Sequence, residues 1–130
     1  MFKFLFKKRI VRRRRVAPLA SRKEYLLHKE AARAVVHQKL ARYNQSYGFA
    51  YKKVFIKNLK SRWGSCSNKG NLNFTYRIAL LPERLQNYLV VHELCHLGEF
   101  NHSESFWKLV ERCIPDYKQL DKELKQMKLR

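Results

Sequence analysis

Apolar positions at helical spacing dominate the chain from about residue 22 to residue 45. The residues that follow this period are Leu27, Ala31, Ala34, Val35 and Leu40. Ser21 and Glu24 precede them in the arrangement of a capping box, in which both side chains satisfy free backbone amides of the first helical turn. Gly48 is a favourable helix terminator. The pattern therefore predicts one long helix over residues 22–45 that begins at the capping box.

From Tyr51 onward the helical period ends, and Val54 and Ile56 alternate with Lys53, Phe55 and Lys57. β-branched and aromatic residues are in excess in this part of the chain. This composition is typical of strands, and it predicts three of them, over residues 51–59, 62–66 and 72–76. The segment from Ser67 to Gly70 between the last two strands contains the residues of a tight turn, which indicates a hairpin. The sequence thus predicts three strands, the last two of which form a hairpin.

Helical periodicity returns in the last third of the chain. Pro82 followed by Glu83 is typical of a helix start, because proline fits the first turn and a carboxylate interacts favourably with the positive end of the helix dipole. Gly98 is expected to end this helix, and a second helix is predicted over residues 103–113. Beyond Pro115 a final amphipathic helix is predicted from the apolar positions Tyr117, Leu120, Leu124 and Met127.

Length and charge limit the class of protein. A chain of 130 residues with 45% hydrophobic residues is enough for one folded domain, which we place at residues 21–130, with residues 1–20 as a basic appendage. The formal net charge is +19, and all of it lies in residues 1–82, since residues 83–130 hold equal numbers of basic and acidic side chains. The positive electrostatic field of residues 1–82 favours an anionic partner there, such as a nucleic acid or a nucleotide.

Cysteine usage and hydropathy bear on location. Cys66, Cys95 and Cys113 are odd in number and fit no disulfide framework, which favours a reducing compartment. The first residues are a poor secretory signal, because the apolar run is short and the charges follow it. No apolar stretch approaches the length of a transmembrane helix. We therefore expect a cytoplasmic protein without a transmembrane segment.

The strongest chemical signal is the sequence His92-Glu-Leu-Cys-His96, an HExxH pattern inside a predicted helix. Histidines four residues apart lie one helical turn apart, so both imidazoles can reach one zinc ion. Glu93 lies to one side of this stripe, where it can hold a zinc-bound water without binding the metal itself. The spacing predicts Glu93 as the general base toward that water.

A catalytic zinc site needs three protein ligands and one open position for water. His102 is a suitable third ligand, because it follows the break expected at Gly98 and precedes the next helix. Glu99 and Glu104 are alternatives, since a carboxylate also binds zinc. The residues themselves leave this choice open.

Several ordered motifs accompany the HExxH pattern. They are Ser61-Arg-Trp-Gly-Ser-Cys66, Asn71-Leu-Asn-Phe74, Leu80-Leu-Pro82, Val90-Val-His-Glu-Leu-Cys-His-Leu97, Asn101-His-Ser103 and Phe106-Trp107. With these motifs the chain resembles the YgjP-like metallopeptidase family, which is related to the SprT-like and Spartan-type proteases.

The resemblance implies a fold and a site. The fold is α+β, a small zincin-like domain whose short antiparallel sheet packs on an N-terminal helix and on the HExxH metal helix, with C-terminal helices. His92, His96 and His102 would bind one Zn²⁺ per chain, and Glu93 would be the catalytic base. The Phe106-Trp107 pair would pack the next helix against the metal helix. Zincin substrates commonly add a strand to a sheet edge, for which residues 71–76 are the candidate.

Three functions are compatible with this site. The first is a zinc metallopeptidase acting on peptides or unfolded protein, with Tyr76, Arg77 or Tyr117 as candidate oxyanion contacts. The second is a UTP-type nucleotide pyrophosphatase that uses the same metal centre, in which Arg62, Lys69 and Arg77 would bind the triphosphate. The third is a nucleic-acid-associated zinc-binding module that contacts phosphates through its arginines.

Overall fold

The computed structural model describes residues 19–127 and residue 129. In this part of the chain, four α-helices, three β-strands and one 3₁₀ helix follow one another in the order α1 (Leu19–Tyr47), β1 (Val54–Lys57), β2 (Gly64–Cys66), β3 (Leu72–Thr75), the 3₁₀ helix (Tyr76–Leu80), α2 (Glu83–Cys95), α3 (Glu104–Cys113) and α4 (Tyr117–Gln126). The predicted α+β class is confirmed, and each predicted helix and strand has a counterpart.

The first helix differs from the prediction at its start. It begins at Leu19, so the predicted capping box at Ser21 and Glu24 is wrong. Both side chains bind distant parts of the chain instead: the Ser21 hydroxyl accepts a hydrogen bond of 2.8 Å from Asn58, and the Glu24 carboxylate accepts one of 3.1 Å from the Tyr76 hydroxyl. These tertiary contacts hold the first half of α1 against the sheet region.

The sheet is mixed and not wholly antiparallel, with strand order β1-β3-β2. The predicted hairpin is present, because β2 pairs antiparallel with β3. The turn at residues 67–70 fixes β2 to one side of β3 and leaves the other side for β1, which runs parallel to β3 with Val54 opposite Leu72. The expectation that residues 71–76 offer the sheet edge is therefore wrong, since β3 is the central strand. Among the described strands, β1 and β2 form the edges.

The core lies between α1, α2 and the inner face of the sheet. Residues with no exposed surface come from all of these elements and from α3, among them Val36, Leu40, Leu72, Phe74, Leu94 and Phe106. Full burial of one such side chain stabilises the fold by about 1.5–3 kcal/mol. Lys39 is buried as well, and its ammonium group donates to Glu83 at 3.1 Å and to Asn87 at 2.6 Å. This polar contact fixes α1 on the first turns of α2.

Two expectations concern the chain ends and membranes. The predicted appendage of residues 1–20 lies almost wholly outside the described residues, and the domain boundary at residue 21 stays a prediction. Within the described part of the chain, no helix combines the length and the apolar character that a membrane span requires.

Candidate metal centre

His92 lies on the last turn of helix α2, and His96 is the residue that caps the C-terminal end of that helix. Its apolar side chains, including Leu85, Leu89 and Leu94, are buried, which fixes the rotation of the helix about its axis. His92 and His96 are one turn apart, and their ring centroids are separated by 5.0 Å. The core packing of α2 therefore directs both imidazoles toward the same side.

The chain turns sharply after α2. Gly98 lies in this turn, but its backbone is not left-handed. A residue without a side chain is needed here for steric reasons, because an added Cβ would lie 2.7 Å from the ring of Phe49 and 3.1 Å from Leu109. Ser103 then caps α3 by accepting a hydrogen bond of 3.4 Å from the Phe106 amide. Together the turn and the cap bring His102 back to the metal helix.

Each of the three histidines directs its Nε2 atom toward the other two. The Nε2 atom of His102 lies 3.0 Å from Nε2 of His96 and 3.2 Å from Nε2 of His92. Two ligand nitrogens of a tetrahedral zinc site are roughly 3.3 Å apart, given zinc–nitrogen bonds of about 2.0–2.1 Å. Among the described residues, these three form a group able to hold a metal ion, with their ligand atoms within 4.8 Å of one another. The donor set fits a single divalent cation.

Burial keeps these donors neutral. It lowers the pKa of His96 to about 4 and that of His102 to about 4, and it lowers the pKa of His92 well below its usual value. A neutral imidazole keeps one proton, and its Nε2 atom offers a lone pair only when that proton is on Nδ1. Three such lone pairs converging at these distances repel one another unless a cation lies between them. The metal-free geometry is therefore one that a bound cation would stabilise.

The two alternative third ligands lie outside this group. The backbone carbonyl of Glu99 accepts a hydrogen bond of 3.1 Å from Nδ1 of His96, so Glu99 orients a candidate ligand through its main chain. The Glu104 carboxylate is exposed and lies 3.6 Å from Lys108. Of the three candidates, only His102 reaches the other two histidines.

Aromatic rings enclose the histidine group from the α3 side. The Phe106 ring stacks on His96 with centroids 4.4 Å apart, and Trp107 lies 5.9 Å from His92 and 5.7 Å from His102. The Phe106-Trp107 pair thus packs α3 against α2, as the resemblance implied. These rings restrict the rotation of the imidazoles and exclude water from their sides.

Glu93 is enclosed by protein, with 5% of its surface exposed. Burial raises the pKa of its carboxyl group to about 8. Gly64 of β2 packs directly on this side chain, because an added Cβ would lie 3.1 Å from Cγ and 3.2 Å from Oε2 of Glu93. The glycine of the Arg-Trp-Gly-Ser-Cys motif thus makes room for the carboxyl group, a role that the sequence did not reveal.

A cavity of about 390 Å³ opens beside the histidines. Its lining residues come from four regions, residues 62–66, α2, the start of α3 and α4, and they include Arg62, Gly64, His92, Glu93, Trp107 and Lys125. Three candidate oxyanion contacts are not among them. Tyr76 binds Glu24, Arg77 binds Asn58 at 3.1 Å, and Tyr117 stacks on Trp107 with centroids 4.9 Å apart.

Sequence reasoning also missed two residues around the site, Tyr88 and Asp121. Tyr88 lies one helical turn before His92, so the spacing of four residues contained a signal for it. Asp121 is on α4, and its hydrogen bond to Tyr88 spans 33 positions in the chain. No local pattern connects residues so far apart.

Comparison with known proteins agrees with this architecture. A family model described as YgjP-like, metallopeptidase domain matches residues 7–127, and the chain therefore belongs to the YgjP-like metallopeptidase family. The protein is accordingly a peptidase of the hydrolase class, and membership implies a catalytic metal. No curated protein sequence matches the chain.

Solved structures of two metallopeptidase zymogens are among those similar to this chain. The metallopeptidase zymogen abylysin of Pyrococcus abyssi superposes with a TM-score of 0.64 at 27% identity, covering 72% of this chain and 96% of that one. The metallopeptidase zymogen jannalysin of Methanocaldococcus jannaschii gives a TM-score of 0.57 at 21% identity, covering 73% and 94%. The second likeness supports the fold alone.

Proposed function

We propose that this protein is a zinc-dependent metallopeptidase in which His92, His96 and His102 hold one zinc ion per chain and Glu93 is the general base. The observation that carries the proposal is the convergence of three Nε2 atoms at 3.0 and 3.2 Å beside a buried carboxyl group. Three neutral imidazoles leave one position of a tetrahedral zinc site open, which is the arrangement of catalytic zinc.

The chemistry divides between the metal and the chain. A bound zinc ion supplies Lewis acidity and makes water a stronger acid. Glu93 accepts the proton of the attacking water and then delivers it to the leaving amine. The Glu93 side chain, which extends from α2, is buried against Gly64. This packing fixes the carboxyl group in one place and keeps bulk solvent away from it.

The substrate lies along β2 in this proposal. Hydrogen-bonded pairs alternate along the hairpin: the Thr75 amide donates to the Trp63 carbonyl, and the Ser67 amide donates to the Asn71 carbonyl. Gly64 and Cys66 belong to the non-hydrogen-bonded pairs of this hairpin. Their backbone N–H and C=O groups therefore point away from β3, toward the open edge of the sheet. Both residues line the cavity, so an extended peptide added to this edge passes beside the histidines.

The pyrophosphatase alternative has less support. Of the three basic residues expected to bind a triphosphate, Arg62 lines the cavity, whereas Lys69 is exposed at the hairpin turn and Arg77 is buried against Asn58. The nucleic-acid module, and contact with nucleic acid or nucleotides through residues 1–82, stay predictions. The cytoplasmic location also stays a prediction.

The proposal is tested with the full chain loaded with one equivalent of zinc. We expect it to cleave an unfolded protein substrate, and we expect Glu93→Gln to reduce kcat by about 10²–10⁴-fold with zinc retained, because the general base is lost. Glu104→Gln removes an exposed carboxylate outside the histidine group and should have no effect.

UTP is assayed in parallel. Glu93-dependent hydrolysis of UTP without any cleavage of peptides would contradict the proposal. Equal cleavage of peptides by the wild type and Glu93→Gln would contradict the role of Glu93.

A further inference from the structure

A hydrogen-bonded chain of three side chains runs from the histidine group to the C-terminal helix. Nδ1 of His92 lies 3.0 Å from the hydroxyl of Tyr88, and that hydroxyl donates to Oδ1 of Asp121 at 2.8 Å. Tyr88 is 1% exposed, so its hydroxyl has little access to bulk water. The metal helix α2 and the last helix α4 are thus connected behind His92.

The proton position on each imidazole decides whether it can bind a metal. A neutral histidine offers the lone pair of Nε2 only when its proton is on Nδ1. For His96 this condition is met by the backbone, because the Glu99 carbonyl at its Nδ1 atom can only accept a hydrogen bond. For His92 the partner is a hydroxyl group, which can donate or accept. Tyr88 alone therefore leaves the tautomer of His92 undetermined.

Asp121 removes this ambiguity. The Tyr88 hydroxyl donates its single proton in the hydrogen bond to the Asp121 carboxylate, which leaves the Tyr88 oxygen to accept from Nδ1–H of His92. The other oxygen of Asp121 forms an ion pair of 2.9 Å with the ammonium group of Lys125. The direction of each hydrogen bond then follows from the carboxylate.

We infer that Asp121, acting through Tyr88, sets the tautomer of His92 and thereby prepares its Nε2 atom to bind zinc. This inference rests on the proposed metal site. Tyr88 and Asp121 are positioning residues and not catalytic residues, because the hydroxyl binds the Nδ1 side of the ring, opposite the converging Nε2 atoms. The last helix of the domain thus contributes to the metal centre without supplying a ligand.

The test uses Asp121→Asn, a substitution of nearly equal size that lets the side chain donate as well as accept. In the metal-free protein, long-range nitrogen–proton NMR correlations report the tautomer of His92 directly. We expect Nδ1–H alone in the wild type and a mixture with Nε2–H in the variant. Zinc affinity should fall by about 10–100-fold, as it does when a group that orients a histidine ligand is lost.

Three further variants separate positioning from packing. Asp116→Asn changes an exposed carboxylate just before the same helix, and both readouts should match the wild type. Tyr88→Phe should weaken zinc binding as much as Asp121→Asn, and the double variant should lose no more than Tyr88→Phe alone, because both residues act in one chain. Additive losses would contradict a shared chain.

The outcomes distinguish this inference from the proposed function. A wild-type tautomer and unchanged zinc affinity in Asp121→Asn would overturn the inference while leaving the metal site intact. If the wild type binds no zinc, the proposed function fails, and the tautomer of His92 in the two metal-free proteins still decides whether Asp121 sets it.

Discussion

At the scale of single residues, the site places groups with opposite pKa shifts side by side. Burial raises the pKa of Glu93 to about 8 and lowers that of His96 to about 4, because in each case removal from water disfavours the charged form. Between these values, and without a metal, the Glu93 carboxyl group is protonated and the three imidazoles are neutral. A cation that binds there favours the ionised form of the carboxyl group.

Zinc binding should therefore release a proton from Glu93. At about pH 6.5 the histidines have no proton to lose, and Glu93 is still protonated without metal, so we expect release of about one proton per zinc ion bound. Calorimetry in buffers of different ionisation enthalpy measures this number. In Glu93→Gln it should fall to near zero. Equal release by both proteins would show that the proton comes from another group.

At the scale of secondary structure, β2 has an importance beyond its three residues. It offers the open sheet edge, and Gly64 within it contacts the Glu93 side chain. An added Cβ at Gly64 would also lie 2.8 Å from the backbone oxygen of Asn73, which cannot move without disturbing the hairpin. Any side chain at this position must therefore displace β2 or the Glu93 carboxyl group.

Gly64→Ala should lower peptidase activity more than zinc affinity. The atoms nearest to an added Cβ at Gly64 belong to Asn73 and Glu93 and not to the histidines. We therefore expect kcat to fall by about 10²-fold, because the base is misplaced. Steady-state kinetics and zinc titration measure the two effects. Asn68→Ala, at the exposed hairpin turn and outside the cavity lining, is the control and should retain activity. Wild-type kcat in Gly64→Ala would mean that the base tolerates a shift of β2.

Local patterns predicted the elements well, and non-local contacts account for the errors. Helical periodicity located α2, and Gly48, with a left-handed φ of 67°, ends α1 as expected. The pairing of β1 with β3 was not predictable, because parallel neighbours leave no turn between them in the sequence. Ser21 and Glu24 gave a valid capping signal, but their side chains bind Asn58 and Tyr76 in the folded chain.

At the scale of the whole molecule, four separate segments assemble the site. Helix α2 and its C-terminal cap carry two histidines and Glu93, and the turn before α3 brings His102. Strand β2 brings Gly64, and α4 brings Asp121. The HExxH spacing predicted the contribution of α2, and the motif around His102 predicted that of the segment before α3. The contributions of β2 and α4 depend on tertiary packing, so sequence alone could not connect Gly64 with Glu93 or Asp121 with His92.

The central claim is that this assembly holds one zinc ion through three histidines. Native mass spectrometry of the zinc-loaded chain after gel filtration, beside His102→Ala, measures it most directly. We predict one zinc ion per wild-type chain and loss of zinc from His102→Ala, because two imidazoles one turn apart bind zinc much more weakly than three. A wild-type chain without zinc, or a His102→Ala chain that retains it fully, would contradict the account.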